Sequence, residues 1–97
     1  MKTEPNAGVN GWEEFLDLTD NEKLAVVQWI SGQTLKYLRK WSSYSMKHHF
    51  HGEGGFYMTN GAMKGAALHC GLIPVDREVL NWHFKLSNAS QLKFRQP

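Results

Sequence analysis

A single cysteine, three prolines and no long apolar run among 97 residues set the first limits on this chain. Cys70 has no second thiol to pair with, so an intrachain disulfide is excluded and a reducing compartment is the simple expectation. No apolar stretch approaches the ~18 residues that a membrane helix needs. Residues 1–10 are polar without an apolar centre, so neither a membrane span nor a secretory signal is expected. Three marks of common enzymes are also missing: a Gly-rich phosphate loop of standard spacing, a Gly-x-Ser-x-Gly elbow and a cysteine-nucleophile signature. The last absence is local. Between residues 23 and 52 there is no Asp or Glu.

What the chain does contain is enough apolar matter for one core. It is 41% hydrophobic with four Trp, which is globular composition, and its length suits one domain. Residues 1–11, rich in Gly and Asn, read as a disordered arm, residues 12–86 as a single compact domain, and residues 87–97 as a loose tail. The fold class expected is α+β: a mostly helical domain of about three helices with a minimal two- to three-stranded antiparallel sheet.

The helices announce themselves through their ends. Residues 12–18 fit a short amphipathic turn with Trp12, Phe15 and Leu16 on one side. Thr19 followed by Glu22 is a capping box, in which hydroxyl and carboxylate each satisfy an otherwise orphan amide, and Asp20 adds charge of the right sign at that end. A helix is predicted from there over residues 20–41, with Leu24, Val27, Leu35 and Leu38 at helical spacing and a kink or break at Ser31-Gly32. Ser42 or Ser43 can cap a second helix through residue 51, with Gly52 as its stop. Thr59 or Asn60 can cap a third, ending at Gly71, whose Met63, Ala66, Ala67 and Cys70 form a small-residue packing face. Residues 81–86 alternate strictly, with Trp82, Phe84 and Leu86 inward, and are expected to pair with an extended run at 56–58.

The net charge of +2 hides a division. Residues 1–22 hold Glu4, Glu13, Glu14, Asp17, Asp20 and Glu22 against Lys2, whereas residues 23–52 hold Lys23, Lys36, Arg39, Lys40 and Lys47 against no acid. Cations with aromatic neighbours can neutralise phosphates and stack bases. The candidate binding residues are therefore Lys36, Arg39, Lys40, Lys47, His48 and His49, with Lys64 from the third helix. Trp41 and Tyr44 stand beside them, and both are assigned mainly to the core. The acidic segment is either an internal counter-charge or a second docking face with Trp12 or Phe15 as its anchor.

Other chemistry was weighed on the same residues. His48, His49, His51, His69, His83 and Cys70 include zinc-type ligands, but their spacing does not place enough donors on one ion, so no metal and no other cofactor is expected. Lys47 with His48, His49 and His51 has the residue types of a metal-free nuclease, yet nothing fixes their geometry, and a non-enzymatic protein is the expectation. The second and third helices fail the helix-turn-helix test, because about eight residues separate them where the motif has three to four.

Three short runs carry a resemblance. Ser42-Ser43-Tyr44-Ser45-Met46-Lys47-His48, then Asn60-Gly61 ahead of Ala66-Ala67 and Gly71, then Asn81-Trp82-His83-Phe84, resemble small proteins encoded by phages, prophages and plasmids. The resemblance covers under half of the chain. It implies a mobile element and the cytoplasm of a bacterial host cell, and it brings no catalytic residues with it. Proteins of that setting often bind nucleic acid as regulators, or act as stoichiometric inhibitors of a host defence nuclease in the anti-CRISPR manner. Nucleic acid, a nucleoprotein complex or a host nuclease are thus the partners implied.

Overall fold

The capping box at Thr19 forms as its residues predict. Thr19 Oγ1 accepts from the Glu22 amide at 3.2 Å, and Glu22 Oε1 accepts from the Thr19 amide at 2.9 Å. The computed structural model describes residues 8–85, without the side chains of Leu35 and Arg39. From the capping box α1 runs over Asp20–Ser31. It stops at the Ser31-Gly32 break, where the Gly32 amide is shared between the carbonyls of Gln28 and Trp29. The chain resumes as a separate α2, Leu35–Lys40, so the single helix expected over residues 20–41 is two.

Ser42 and Thr59 then serve as N-caps, accepting from the amides of Ser45 and Ala62, and start α3, Ser43–Gly52, and α4, Asn60–His69. Both helices end in the same way. A glycine at positive φ, Gly54 at 99° and Gly71 at 94°, follows the last cap residue. The next amide reaches back to the helix: Gly55 to the Phe50 carbonyl and Leu72 to the Ala67 carbonyl, each at 3.0 Å. The stop of α3 is therefore Gly54 and not Gly52.

Among the described residues there are four α-helices and two short 3-10 helices, Gly8–Asn10 and Trp12–Asp17, more than the three expected. Gly8–Asn10 packs on α4, unlike the arm predicted for residues 1–11, of which 1–7 lie outside the described residues, as does the tail at 87–97. The sheet is a two-stranded antiparallel ribbon, β1 at Ile73–Pro74 and β2 at Phe84–Lys85, in register Ile73↔Lys85 and Pro74↔Phe84. The partner of the 81–86 run is thus residues 73–74, not 56–58. The reason is that Phe56 is held against the Phe50 ring, centroids 5.0 Å apart, and Met58 is buried at the entry to α4. The alternation itself is as expected, with Trp82 and Phe84 buried and His83 and Lys85 exposed; Leu86 lies outside the described residues.

Helix α4 is the centre of the molecule. Every residue from Asn60 to Ala67 is buried, with the Trp12–Asp17 helix, α3 and α1 packed around it. Val26 and Ile30 of α1, Leu38 of α2, Met46 and Phe50 of α3, and Trp82 complete the core. Among the described residues no helix is long and apolar enough to cross a membrane.

One polar node locks this core. The Ser43 amide donates to the Trp82 carbonyl at 2.7 Å, and Ser43 Oγ accepts from the Trp82 amide at 3.0 Å. The same hydroxyl donates to Asn60 Oδ1 at 2.8 Å. Ser43 and Asn60, considered as caps, are instead buried joints between α3, α4 and the residues that lead into β2. Ser43→Ala leaves an amide and an amide oxygen without partners, so urea denaturation should show a loss of about 2 kcal/mol. Ser42→Ala, which removes a cap, should cost about 1 kcal/mol. Equal effects would contradict the node.

Candidate functional site

Because α2 ends at Lys40 and α3 begins at Ser43, only Trp41 and Ser42 separate the two helices, and the candidate cations flank that corner. Lys36 and Lys40 are exposed on α2, and His48 and His49 are exposed on α3. Arg39 lies on α2, but its side chain is not among those described. Between the cations runs a layer of rings. Tyr37, 46% exposed, stacks on Trp41 with centroids 5.5 Å apart and planes 13° apart. Trp41 stacks in turn on His49 at 4.2 Å and on Trp29 at 5.9 Å. Behind them, Trp29 meets the edge of Phe50 at 5.5 Å, and its Nε1 donates to Glu53 Oε1 at 2.9 Å.

The aromatics are therefore less buried than their assignment to the core implied. Tyr44 is exposed and Trp41 half-buried, because α2 is too short to cover them. The result is a face on which flat apolar surface and positive charge lie together. Such a surface can take a base on its rings and phosphates on its lysines.

No protein-family model, curated protein or solved structure matches the chain.

Two of the candidate cations are not on this face. Lys64 is wholly buried on α4, its Nζ donating to the Asn10 carbonyl at 2.9 Å and lying 4.9 Å from the Trp82 ring centroid. Desolvation by burial pulls its pKa down to about 8. A side chain so enclosed does not meet a phosphate, and Lys64 is removed from the binding set. Lys47 is only 9% exposed, held between the rings of Tyr44 and Tyr57. It faces away from the Tyr37-Trp41 layer and lines a pocket of its own. Nothing in the local pattern distinguishes these lysines from surface ones. The signal that bears on them is the central position of α4, visible only in three dimensions.

The three histidines of α3 do not assemble into one cluster. Each rests on a different ring: His48 on Tyr44 at 4.5 Å, His49 on Trp41 at 4.2 Å, and His51 opposite Tyr57 at 6.3 Å. Among the described residues no group of three His, Cys, Asp or Glu is placed to hold a metal ion. Cys70 is buried, with its Sγ 3.9 Å from the Val27 carbonyl.

The acidic segment divides by position. Glu13 and Glu14 lie on the Trp12–Asp17 helix, which packs on α4, while Asp20 and Glu22 sit in the first turn of α1. Of the two aromatic anchors considered there, Phe15 is buried under α4, so only Trp12, partly exposed, can meet a partner.

Proposed function

We propose that the protein is a non-enzymatic binding protein of mobile-element type that engages nucleic acid, alone or within a nucleoprotein complex, through the corner between α2 and α3. The observation that carries the reading is the Tyr37-Trp41-His49 stack at this corner, where Lys36 and Lys40 of α2 and His48 of α3 are exposed. Rings supply sequence-tolerant stacking, and the lysines supply the salt-dependent attraction to phosphate. The mixture favours single strands, whose bases are free to stack.

Fluorescence anisotropy with short single-stranded oligonucleotides tests the proposal. Affinity should fall steeply from low to moderate salt, and Lys36→Glu with Lys40→Glu should lower both the affinity and the slope of log K against log salt. Tyr37→Ala should weaken binding by about 1–3 kcal/mol at every salt concentration. Affinity that is indifferent to salt and to all three substitutions would end this reading.

A second reading keeps the protein as a stoichiometric inhibitor of a host defence nuclease, acting by protein contact. It is favoured by the apolar surface left open beside the acidic helix, where Leu16 and Leu24 are each 56% exposed. A pull-down from host lysate, with and without nuclease digestion, separates the two. A nuclease recovered after digestion, and lost with Leu16→Asp, supports protein contact; recovery only before digestion supports nucleic acid.

A further inference from the structure

On the opposite side of α3 from His49 lies a pocket of about 310 Å³, at the low end for small-molecule sites. Asn60 at the N-terminus of α4 lines it, together with Asn10 and Asn81. Lys47 enters between two tyrosines, its Nζ 4.7 Å from the Tyr57 centroid and 5.5 Å from that of Tyr44. Among the described residues that line it there is no acid.

Lys47 is the unusual element. It is more than nine-tenths buried, yet among the described residues its ammonium has ring contacts and no hydrogen-bond acceptor. No buried side-chain nitrogen or oxygen among them lacks a partner, so the Lys47 nitrogen keeps an opening, and the pocket is what it lines. An ammonium that lines a pocket and accepts no counter-charge from the described residues around it is suited to an anion.

The amides around it are oriented by their own network. Asn60 Nδ2 donates to Asn81 Oδ1 and the Leu80 carbonyl at 3.0 Å, and to Asn10 Oδ1 at 3.3 Å. Asn60 Oδ1 is taken by Ser43. Because Asn10 and Asn81 both present oxygen to Asn60, each keeps its Nδ2 as a donor. The positive end of the α4 dipole lies at the same place. The rings of Tyr44 and Tyr57, 49% and 66% exposed, offer flat apolar surface at the rim.

We infer that this pocket binds a nucleotide phosphate, with the phosphate on Lys47 and the Asn10 and Asn81 amides and the base on an exposed tyrosine ring. The inference rests on the nucleic-acid reading for the source of the nucleotide, which is either the 5′ end of a strand or a free mononucleotide. The site itself is separate from the α2–α3 corner.

Calorimetry on the full chain, with 5′-phosphorylated and 5′-hydroxyl forms of one oligonucleotide, with AMP and CMP, and with inorganic phosphate, decides it. A phosphorylated strand binding at least tenfold tighter than its hydroxyl form supports a strand-end site. Mononucleotides binding more tightly than inorganic phosphate support a free-nucleotide site, even if no oligonucleotide binds and the corner proposal falls. In either case Lys47→Met and Asn81→Asp should remove the preference, and Lys47→Arg should retain much of it. Asn81→Asp keeps an oxygen for Asn60 Nδ2, so it tests the pocket even if Lys47→Met does not fold. Strands bound equally with or without the 5′ phosphate, together with mononucleotides no better than inorganic phosphate, would overturn the inference while leaving the corner intact. So would phosphate-dependent binding unchanged in Asn81→Asp.

Discussion

Gly65→Ala should lower the stability of the protein by about 3 kcal/mol, although alanine is the better helix former by about 1 kcal/mol. A methyl group at Gly65 would fall on Phe15 Cβ and the Trp12 carbonyl. At Gly61, one turn earlier on the same face of α4, it would fall on the backbone of Gly11. Neither obstacle can yield easily. Phe15 is buried, and a backbone carbonyl has no rotamer to change. The Trp12–Asp17 helix would have to lift off α4, exposing Phe15 and the apolar face beneath it. Gly52, at the end of α3, has nothing within 4 Å of its methyl position and supplies the control. In urea denaturation, Gly61→Ala and Gly65→Ala should both shift the midpoint down, while Gly52→Ala leaves it unchanged or slightly higher. If all three behave like Gly52→Ala, the close approach of the first segment to α4 is wrong.

Those two glycines mark where the sequence stops being legible. Signals confined to a few neighbouring residues can be read directly. The Thr19 and Glu22 box, the serine and threonine caps of α3 and α4, the Gly71 stop and the Ser31-Gly32 break all depend on hydrogen bonds between residues at most five apart. A glycine within a helix carries no such mark. Whether Gly61 is a weak point of α4 or the place where another segment touches it depends on residues about fifty positions away. The pairing of β2 has the same origin. Alternation shows which side of the 81–86 run is buried, but not that residues 73–74 will be its neighbour, which follows from where α4 delivers the chain.

The candidate site divides along the same line. Charge, aromatic content and the lack of acid identify the α2–α3 corner, and Lys36, Lys40, His48 and His49 are at its surface. Burial is not legible where tertiary context decides it. Met46 and Phe50 define the core side of α3, and Lys47, one residue further round, is carried partly inward with Met46. Tyr44, assigned mainly to the core, remains outside, as does Tyr37, because short helices leave them no cover. Asn60 and Ser43 are both cap-forming residues next to a cap, and their use as a buried joint depends on Trp82, over twenty residues later.

Lys64 yields a pH dependence whose sign follows from its lowered pKa. Burial holds its pKa at about 8, below the 10.5 of an unhindered lysine. Below about pH 8 both folded and unfolded chains carry the proton, and the cost of enclosing an ammonium is fully present. Between about 8 and 10.5 the folded protein releases the proton while the unfolded chain retains it. The unfolded state then binds more protons, so stability rises with pH through this window, and above it the cost has gone. The gap corresponds to roughly 3 kcal/mol, of which roughly 2 falls between about pH 7.5 and 10. Lys64→Met removes the titration while filling nearly the same volume beside Trp82. The measurement is the difference in unfolding free energy between the native protein and this variant at the two pH values, in which every titration common to both cancels. The native protein should gain roughly 2 kcal/mol on the variant as pH rises. A difference that stays flat would mean that Lys64 keeps its proton in the folded state. A gain would show that the carbonyl of Asn10 and the face of Trp82 only partly replace the water that the ammonium loses. The lysine that holds the Gly8–Asn10 turn on α4 would then do so at a standing cost in stability near neutral pH.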